Sequence, residues 1–170
     1  ILTTPEIAHK VGHPLVRVIG SDVAIDTLAL HDRPDPLAFR AAGVSLENAC
    51  SQAGILPSDV DFFELHDAFS VYGVLSLEAA GFAPRGEGWK LGIGDKLTRK
   101  GDLPINTMGG LKARGYPLGA TGAYQLVEAV QQLRGEAGEN QILNARLALV
   151  QSLGGPASTA VTHVLERMPG

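Results

Sequence analysis

Along residues 13–26, "HPLVRVIGSDVAID", β-branched side chains come in near alternation, which predicts a strand with a break at Gly20. "RPDP" at 33–36 then punctuates the chain. Asp35 followed by Pro36 predicts an N-cap with proline at the first helical position. Leu37, Ala41, Val44, Cys50 and Ala53 recur at helical spacing up to a glycine stop at Gly54. Phe62, Phe63, Glu64 and Leu65 read as a short strand, with His66 and Asp67 at its carboxyl end. The next helix is expected over 68–80, with Val71, Leu75 and 77–79 on its apolar side and Gly81 as its stop. Residues 85–101 have little apolar periodicity and read as a loop. Ala123, Leu126, Val127, Val130 and Leu133 predict a last helix that starts near Ala120 and ends at Gly135. Two strands, 145–151 and 158–166, follow, joined by "SLGGPA". Strands alternating with helices predict an α/β layered domain.

With 170 residues, 45% of them hydrophobic, the chain suits one well-packed domain. A net charge of −4 without a basic cluster leaves a nucleic-acid partner no electrostatic footprint. Cys50 is the single cysteine, so there is no disulfide framework or thiolate metal site, which fits a cytoplasmic protein; on its helix it reads as a small buried hydrophobe. No apolar run is long enough to span a membrane, and no signal peptide is visible. The chain opens on Ile1-Leu2-Thr3-Thr4 without an initiator methionine and soon enters a strand, so a piece of a longer protein is expected. There is no Walker loop, no GxGxxG after a strand, no HExxH and no CxxC, and hence no nucleotide or zinc signature. His9 and His13 have i,i+4 spacing, but Gly12 and Pro14 argue against a helix that aims both at a metal.

Four polar segments sit where strands or loops end, positions that commonly host chemistry in α/β folds. In "ELHDAF" (64–69), His66 is either a proton-exchanging group beside an acid or part of a helix N-cap pair that merely packs. "GGLKARGYPLGATGAYQ" (109–125) has five glycines around Tyr116. Gly109 and Gly110 permit close backbone approach, and Pro117 keeps Tyr116 out of the helical region. A long flat ligand lying along exposed backbone, or a tight turn plugged by Tyr116, explains the pattern. The Ser152-Leu153-Gly154-Gly155 stretch reads as a strand-to-strand turn, either an oxyanion hole of backbone N–H groups or an ordinary hairpin. Lys90, Lys96, Arg99 and Lys100 belong either to a phosphate-binding loop or to a solvated surface loop.

Four spaced motifs, "ELHDAF", "GDLPINTMGGLKARGYPLGATG", "QLRGEAG" and "SLGGPASTAVTHVLER", occur in an order that resembles the carboxyl-terminal half of the thiolase superfamily. The likeness is greatest to the acetyl-CoA acetyltransferases and sterol-carrier-type lipid-transfer thiolases. The resemblance implies helices packed on a mixed sheet, the second half of an α-β-α-β-α fold, over 1–170, with 83–108 as an active-site loop region. It also implies Claisen exchange on coenzyme A thioesters by a cysteine in the amino-terminal half, which this chain lacks. No cofactor is implied beyond the thioester substrate, and homo-oligomers are expected.

By the resemblance, His66 matches the first-motif histidine and Tyr116 takes the place of the histidine in the glycine-histidine-proline motif. Ser152 stands where many thiolases place an acid/base cysteine, and Ala68 where the sterol-carrier branch has its own. Gly154 and Gly155 match glycines that lend backbone N–H groups, and Gly110 and Gly115 line the substrate path. The departures are chemically large, because a free phenol has a pKa of about 10 against about 6.5 for an imidazole. A related branch with tyrosine after that glycine cleaves β-hydroxyacyl-CoA by retro-aldol chemistry with a small zinc-ribbon/OB-fold partner. His66 and Tyr116 suit that reaction, which needs no nucleophilic cysteine. The expectation drawn from the resemblance is acyl transfer of the acetyl-CoA acetyltransferase type with non-standard catalytic residues, and the alternatives are that retro-aldol reaction or a non-catalytic acyl-CoA- or lipid-binding scaffold.

Overall fold

A computed structural model describes residues 1–10 and 12–169. Four strands form one mixed sheet in the order β1-β4-β3-β2, with β1 Val16–Ile25, β2 Phe62–Glu64, β3 Leu147–Gly154 and β4 Thr159–Arg167. β4 runs antiparallel to both β1 and β3, and β2 runs parallel to β3. The helices are α1 Pro5–Ala8, α2 Arg40–Ala53, α3 Ser70–Ala79, α4 Gly110–Ala113 and α5 Thr121–Arg134, with short 3-10 turns between them. This is the expected α/β architecture of helices on a mixed sheet.

Alternation along the strands decides which helix each face receives. Phe63, Leu149 and Val164 point one way and pack with Leu46, Ala49 and Cys50 of α2 and Leu77 of α3. Phe62, Ala148, Val150 and Leu165 point the other way, onto Ala129 and Leu133 of α5. Cys50 is buried there, as its helix position predicts, and burial pushes its thiol pKa up.

The break expected at Gly20 is a register shift between Val18 and Gly20. A side chain at Gly20 would overlap the Ala49 carbonyl, so the glycine lets α2 lie directly on β1. Both fourteen-residue helices end at left-handed glycines, Gly54 and Gly135.

Several boundaries and faces differ from expectation. Helix α2 starts at Arg40, because Asp35 is spent on a turn: its carboxylate accepts the Leu37 N–H (3.0 Å) and its carbonyl the Ala38 N–H (3.2 Å). Leu37 and Val44 consequently face outward, and α2 buries Ala41, Ala42, Ser45, Leu46, Ala49 and Cys50. Helix α3 begins at Ser70 and leaves Val71 exposed. The loop over 85–101 contains one 3-10 segment, Gly88–Gly92. Ser152, Leu153 and Gly154 belong to β3 itself, so the turn between β3 and β4 is Gly155 to Ser158. The largest difference is in α5, whose buried face is Thr121, Gln125, Glu128, Ala129, Gln132 and Leu133, with Ala123 and Val127 outside.

Candidate functional site

The site forms at the carboxyl ends of β2 and β3, where the parallel ladder opens after Glu64 and Val150. Side chains replace the missing ladder partners. The Leu65 N–H donates to Asn106 Oδ1 (2.9 Å), and Gln125 Nε2 donates to the carbonyls of Gln151 (3.0 Å) and Glu64 (3.4 Å). His66 comes next on the chain and is 2% exposed.

Two effects set the state of His66. Burial lowers its pKa, and the neighbouring Asp67 only partly opposes this, so the ring is neutral at physiological pH. The Leu153 N–H lies 3.4 Å from Nδ1 and donates to it, a long contact that leaves the ring proton on Nε2. His66 is thereby arranged as an N–H donor rather than as a free base.

Tyr116 meets it edge to face, with ring centroids 5.3 Å apart at 89°. Tyr116 is 46% exposed, so one ring is deep and the other stands at the mouth. The structure therefore brings together the two residues picked out from segments fifty positions apart.

Asp67 does not cap α3. Its Oδ1 accepts the Leu111 N–H (2.7 Å) at the start of α4. A Cβ on Gly110, which sits at φ +58°, would come within 2.6 Å of Asp67 Oδ2 and Asn106 Nδ2. The glycine there serves packing inside the domain. Gly115 has φ +114° with open space around it, so its backbone angle alone demands glycine.

Ser152 packs under Gly122 at the first turn of α5. Gly154 and Gly155 lie at the hairpin: the Gly154 carbonyl accepts the Ser158 N–H (3.1 Å), and Gly155 takes φ +56°. The backbone amide on His66 is that of Leu153, not of either glycine. Lys90 pairs with Glu87 (2.9 Å) on the surface of the 85–101 loop.

Beneath His66 lies a buried polar group that reading the sequence missed. Glu64 is fully buried and accepts the Thr107 N–H (3.3 Å); burial and the nearby Glu128 push its carboxyl pKa up to about 8. Arg114 Nε sits 2.5 Å from Glu128 Oε1, with both side chains largely buried. Gln132 Nε2 donates to Thr107 Oγ1 and to the Asn140 carbonyl, both at 2.7 Å. Thr121, Gln125, Glu128 and Gln132 follow a 4-3-4 spacing, and that single polar stripe was the available signal. By itself it reads as a solvent face.

A sequence profile described as "Thiolase C-terminal domain-like" matches residues 23–167. An acetyl-CoA acetyltransferase of Methanothermobacter thermautotrophicus is 43% identical over 168 residues, covering 98% of this chain and 44% of its own length. Sterol carrier protein 2 of Rattus norvegicus is 36% identical, covering 95% of this chain and 30% of its own length. The chain thus spans less than half the length of the curated relatives it matches. Among solved structures, the Ltp2-ChsH2(DUF35) aldolase superposes with a TM-score of 0.86 at 26% identity, covering 96% of this chain and 42% of that one. An SCP2-thiolase-like protein type 1 from Mycobacterium smegmatis, at 24% identity and a TM-score of 0.70, shares the fold. No helix among the described residues is long and apolar enough to cross a membrane. A family match over most of the chain, with relatives above 35% identity across nearly all of it, makes the chain a member of the thiolase C-terminal domain-like family.

Proposed function

We propose that this chain is the carboxyl-terminal half of an enzyme that cleaves the carbon–carbon bond beside a coenzyme A thioester by retro-aldol chemistry. The observation that carries the reading is the His66–Tyr116 pair, a buried neutral imidazole with Nδ1 already engaged and a half-exposed phenol against it. With Nδ1 occupied, His66 offers Nε2–H to a carbonyl oxygen and is poorly placed to take a proton from a thiol. That suits stabilising an enolate oxygen.

The steps balance without a nucleophilic cysteine. As the Cα–Cβ bond breaks, the β-carbon leaves as an aldehyde or ketone and its electron pair enters the enolate, whose oxygen His66 holds. In one relay the Tyr116 hydroxyl gives its proton to the α-carbon as it takes up the β-hydroxyl proton, so no charge is left on it and the product is a shorter acyl-CoA. The likeness to the aldolase, at a TM-score of 0.86, supports this reading, and a partner of the kind named in that complex, ChsH2(DUF35), belongs to it. Acetyl transfer is the second reading, favoured by 43% identity to an acetyl-CoA acetyltransferase.

One pair of measurements on the full-length protein separates the two. With β-hydroxyacyl-CoA, aldehyde or ketone release is expected, and Tyr116→Phe should lower kcat by about 100-fold while KM changes little. Intact mass after brief exposure to acetyl-CoA should show no acyl adduct. A stable adduct together with an active Tyr116→Phe variant would replace the retro-aldol reading with acetyl transfer.

A further inference from the structure

The Tyr116 loop has few anchors of its own. Arg114 N–H closes α4 on the Gly110 carbonyl (2.9 Å), and the next backbone bond is Ala120 N–H to the Pro117 carbonyl (3.1 Å). Among the described residues, no hydrogen bond ties Gly115, Tyr116 or Pro117 to β2, β3 or α5. Leu118, just beyond, takes a left-handed φ of +50°, a conformation a branched side chain holds only when its surroundings impose it.

The side chain of Arg114, two residues before Tyr116, supplies the missing anchor. It is the one charged group of this loop that reaches into the domain, where Glu128 Oε1 of α5 meets its Nε at 2.5 Å. The Nε–H is not aligned on the carboxylate, so the contact is ionic rather than a good hydrogen bond. The guanidinium lies 5.3 Å from the Tyr124 ring centre, and its Nη1 donates to the Gly115 carbonyl (3.2 Å), which ties it to the residue beside Tyr116.

Both glutamines of the α5 stripe also grip segments that build the site, whereas the Thr121 hydroxyl is buried without a partner. Gln125 holds the ends of β2 and β3, and Gln132 holds Thr107. Glu128 is the member of the stripe that reaches the Tyr116 loop. A pair of charges this far from water is retained at a cost in desolvation, and the geometry it imposes is its evident return.

We infer that Arg114 and Glu128 are positioning residues for Tyr116: their buried ion pair fixes the loop that carries the phenol edge-on over His66. The catalytic consequence rests on the role given to Tyr116 above, but the structural one does not, and the test reads both.

In the full-length protein, tyrosine is replaced by 3-fluorotyrosine and the Tyr116 fluorine resonance is assigned by its loss in Tyr116→Phe. Two changes are compared, Glu128→Gln and the paired replacement Arg114→Met with Glu128→Leu, which substitutes apolar volume for the charges and protects folding. Both should shift or broaden the Tyr116 resonance and leave in place that of Tyr72, on α3, whose ring packs on Phe39 with centroids 5.0 Å apart. Both should also lower kcat for carbon–carbon cleavage by about 10- to 100-fold with KM within about threefold. In a Tyr116→Phe background, Glu128→Gln should add nothing further. A Tyr116 resonance unmoved in the paired variant, or additive losses in the double-mutant cycle, would overturn the inference. A moved resonance in a protein whose wild type cleaves no β-hydroxyacyl-CoA would uphold the anchor and reject the reaction.

Discussion

Helices α2 and α5 are both fourteen residues long, both end on a left-handed glycine and both lie across the sheet, one on each face. What they bury is opposite in kind. Five of the six residues α2 buries are apolar or small hydrophobes, with Ser45 the exception. Four of the six that α5 buries are Thr121, Gln125, Glu128 and Gln132, while Tyr124 and Val127 are left about half exposed. Amphipathicity by itself therefore does not say which face goes inward. A polar stripe goes inward when its long side chains find partners: Gln125, Glu128 and Gln132 find them in strand-end carbonyls, a guanidinium and a loop hydroxyl, and only the small Thr121 hydroxyl goes without. Helix α2 holds the sheet together, and α5 holds the site together.

The contrast is broken most severely on the α2 side by filling the contact with β1. Gly20→Ala should destabilise the domain by about 4 kcal/mol or more, because the new methyl meets the rigid Ala49 carbonyl rather than a movable side chain. Denaturant melts compared with wild type would show it, and a loss of only a few tenths would mean that α2 can lift off β1 freely.

On the α5 side the equivalent break is Gln125→Leu, which keeps bulk and removes the amide. The buried Gln151 carbonyl at the strand end loses its donor, and that of Glu64 loses a second, longer contact, at a cost of up to about 3 kcal/mol. The damage should also reach His66, which follows directly on one of those strand ends. A loss of cleavage activity larger than the melt accounts for is the expected signature, and an equally stable, equally active variant would refute the division of labour between the two helices.

This division was only half visible beforehand. Strand β1 with its break at Gly20, the strand ending at His66, and the glycine stops of both long helices were readable because each rests on local chemistry: alternation, chain punctuation and left-handed glycines. Where local rules competed, the reading failed. Asp35 looked like a helix cap, yet its carboxylate closes an earlier turn, and α2 starts five residues later. Val127 belongs to the apolar series that marks α5, yet it faces outward, because the stripe of Gln125, Glu128 and Gln132 carries the tertiary partners. His66 and Tyr116 were both selected, but their meeting at 5.3 Å depends on the tertiary path of the chain, which spacing does not reveal. Arg114 and Glu128 were missed for the same reason, since a basic residue in a loop and an acid on a helix ordinarily belong to the surface.

Protonation sharpens the contrast further, because the polar side of the domain titrates. Glu64 has its pKa raised from 4.5 to about 8, chiefly by burial, with Glu128 and Asp67 adding to the shift and the Thr107 amide and Arg114 opposing it. Over that window the native state holds a proton that the unfolded chain has released. Stability from this group therefore falls as pH rises from 4.5 towards 8, by no more than about 1.4 kcal/mol per pH unit, and levels off above. His66 and His163, both lowered by burial, slope the other way below 6.5, so the comparison with a variant is needed to isolate the carboxyl. Glu64→Gln keeps an acceptor for the Thr107 amide and carries no charge. Its melting temperature relative to wild type should rise steadily with pH across the window, and a constant difference would show that Glu64 is already ionised at low pH.

The smallest effect is expected at the single polar residue that α2 buries. Ser45 Oγ lies 2.7 Å from Thr162 Oγ1 and 3.2 Å from the Ala42 carbonyl. Neither partner is orphaned by Ser45→Ala, because Gln151 Nε2 donates to Thr162 Oγ1 (2.9 Å) and to the Ala42 carbonyl (3.0 Å) as well. Both contacts of the hydroxyl are lost, worth about 1 kcal/mol net because their partners stay bonded, and a methyl in that apolar surround recovers part of it. Nothing in this knot touches His66 or the Tyr116 loop, so kcat and KM should stay at wild-type values in the melt-matched protein. If Ser45→Ala instead cost as much as Gln125→Leu, or dulled activity to a similar degree, polar burial on the two sides would be equivalent, and the assignment of the site's support to α5 alone would fail.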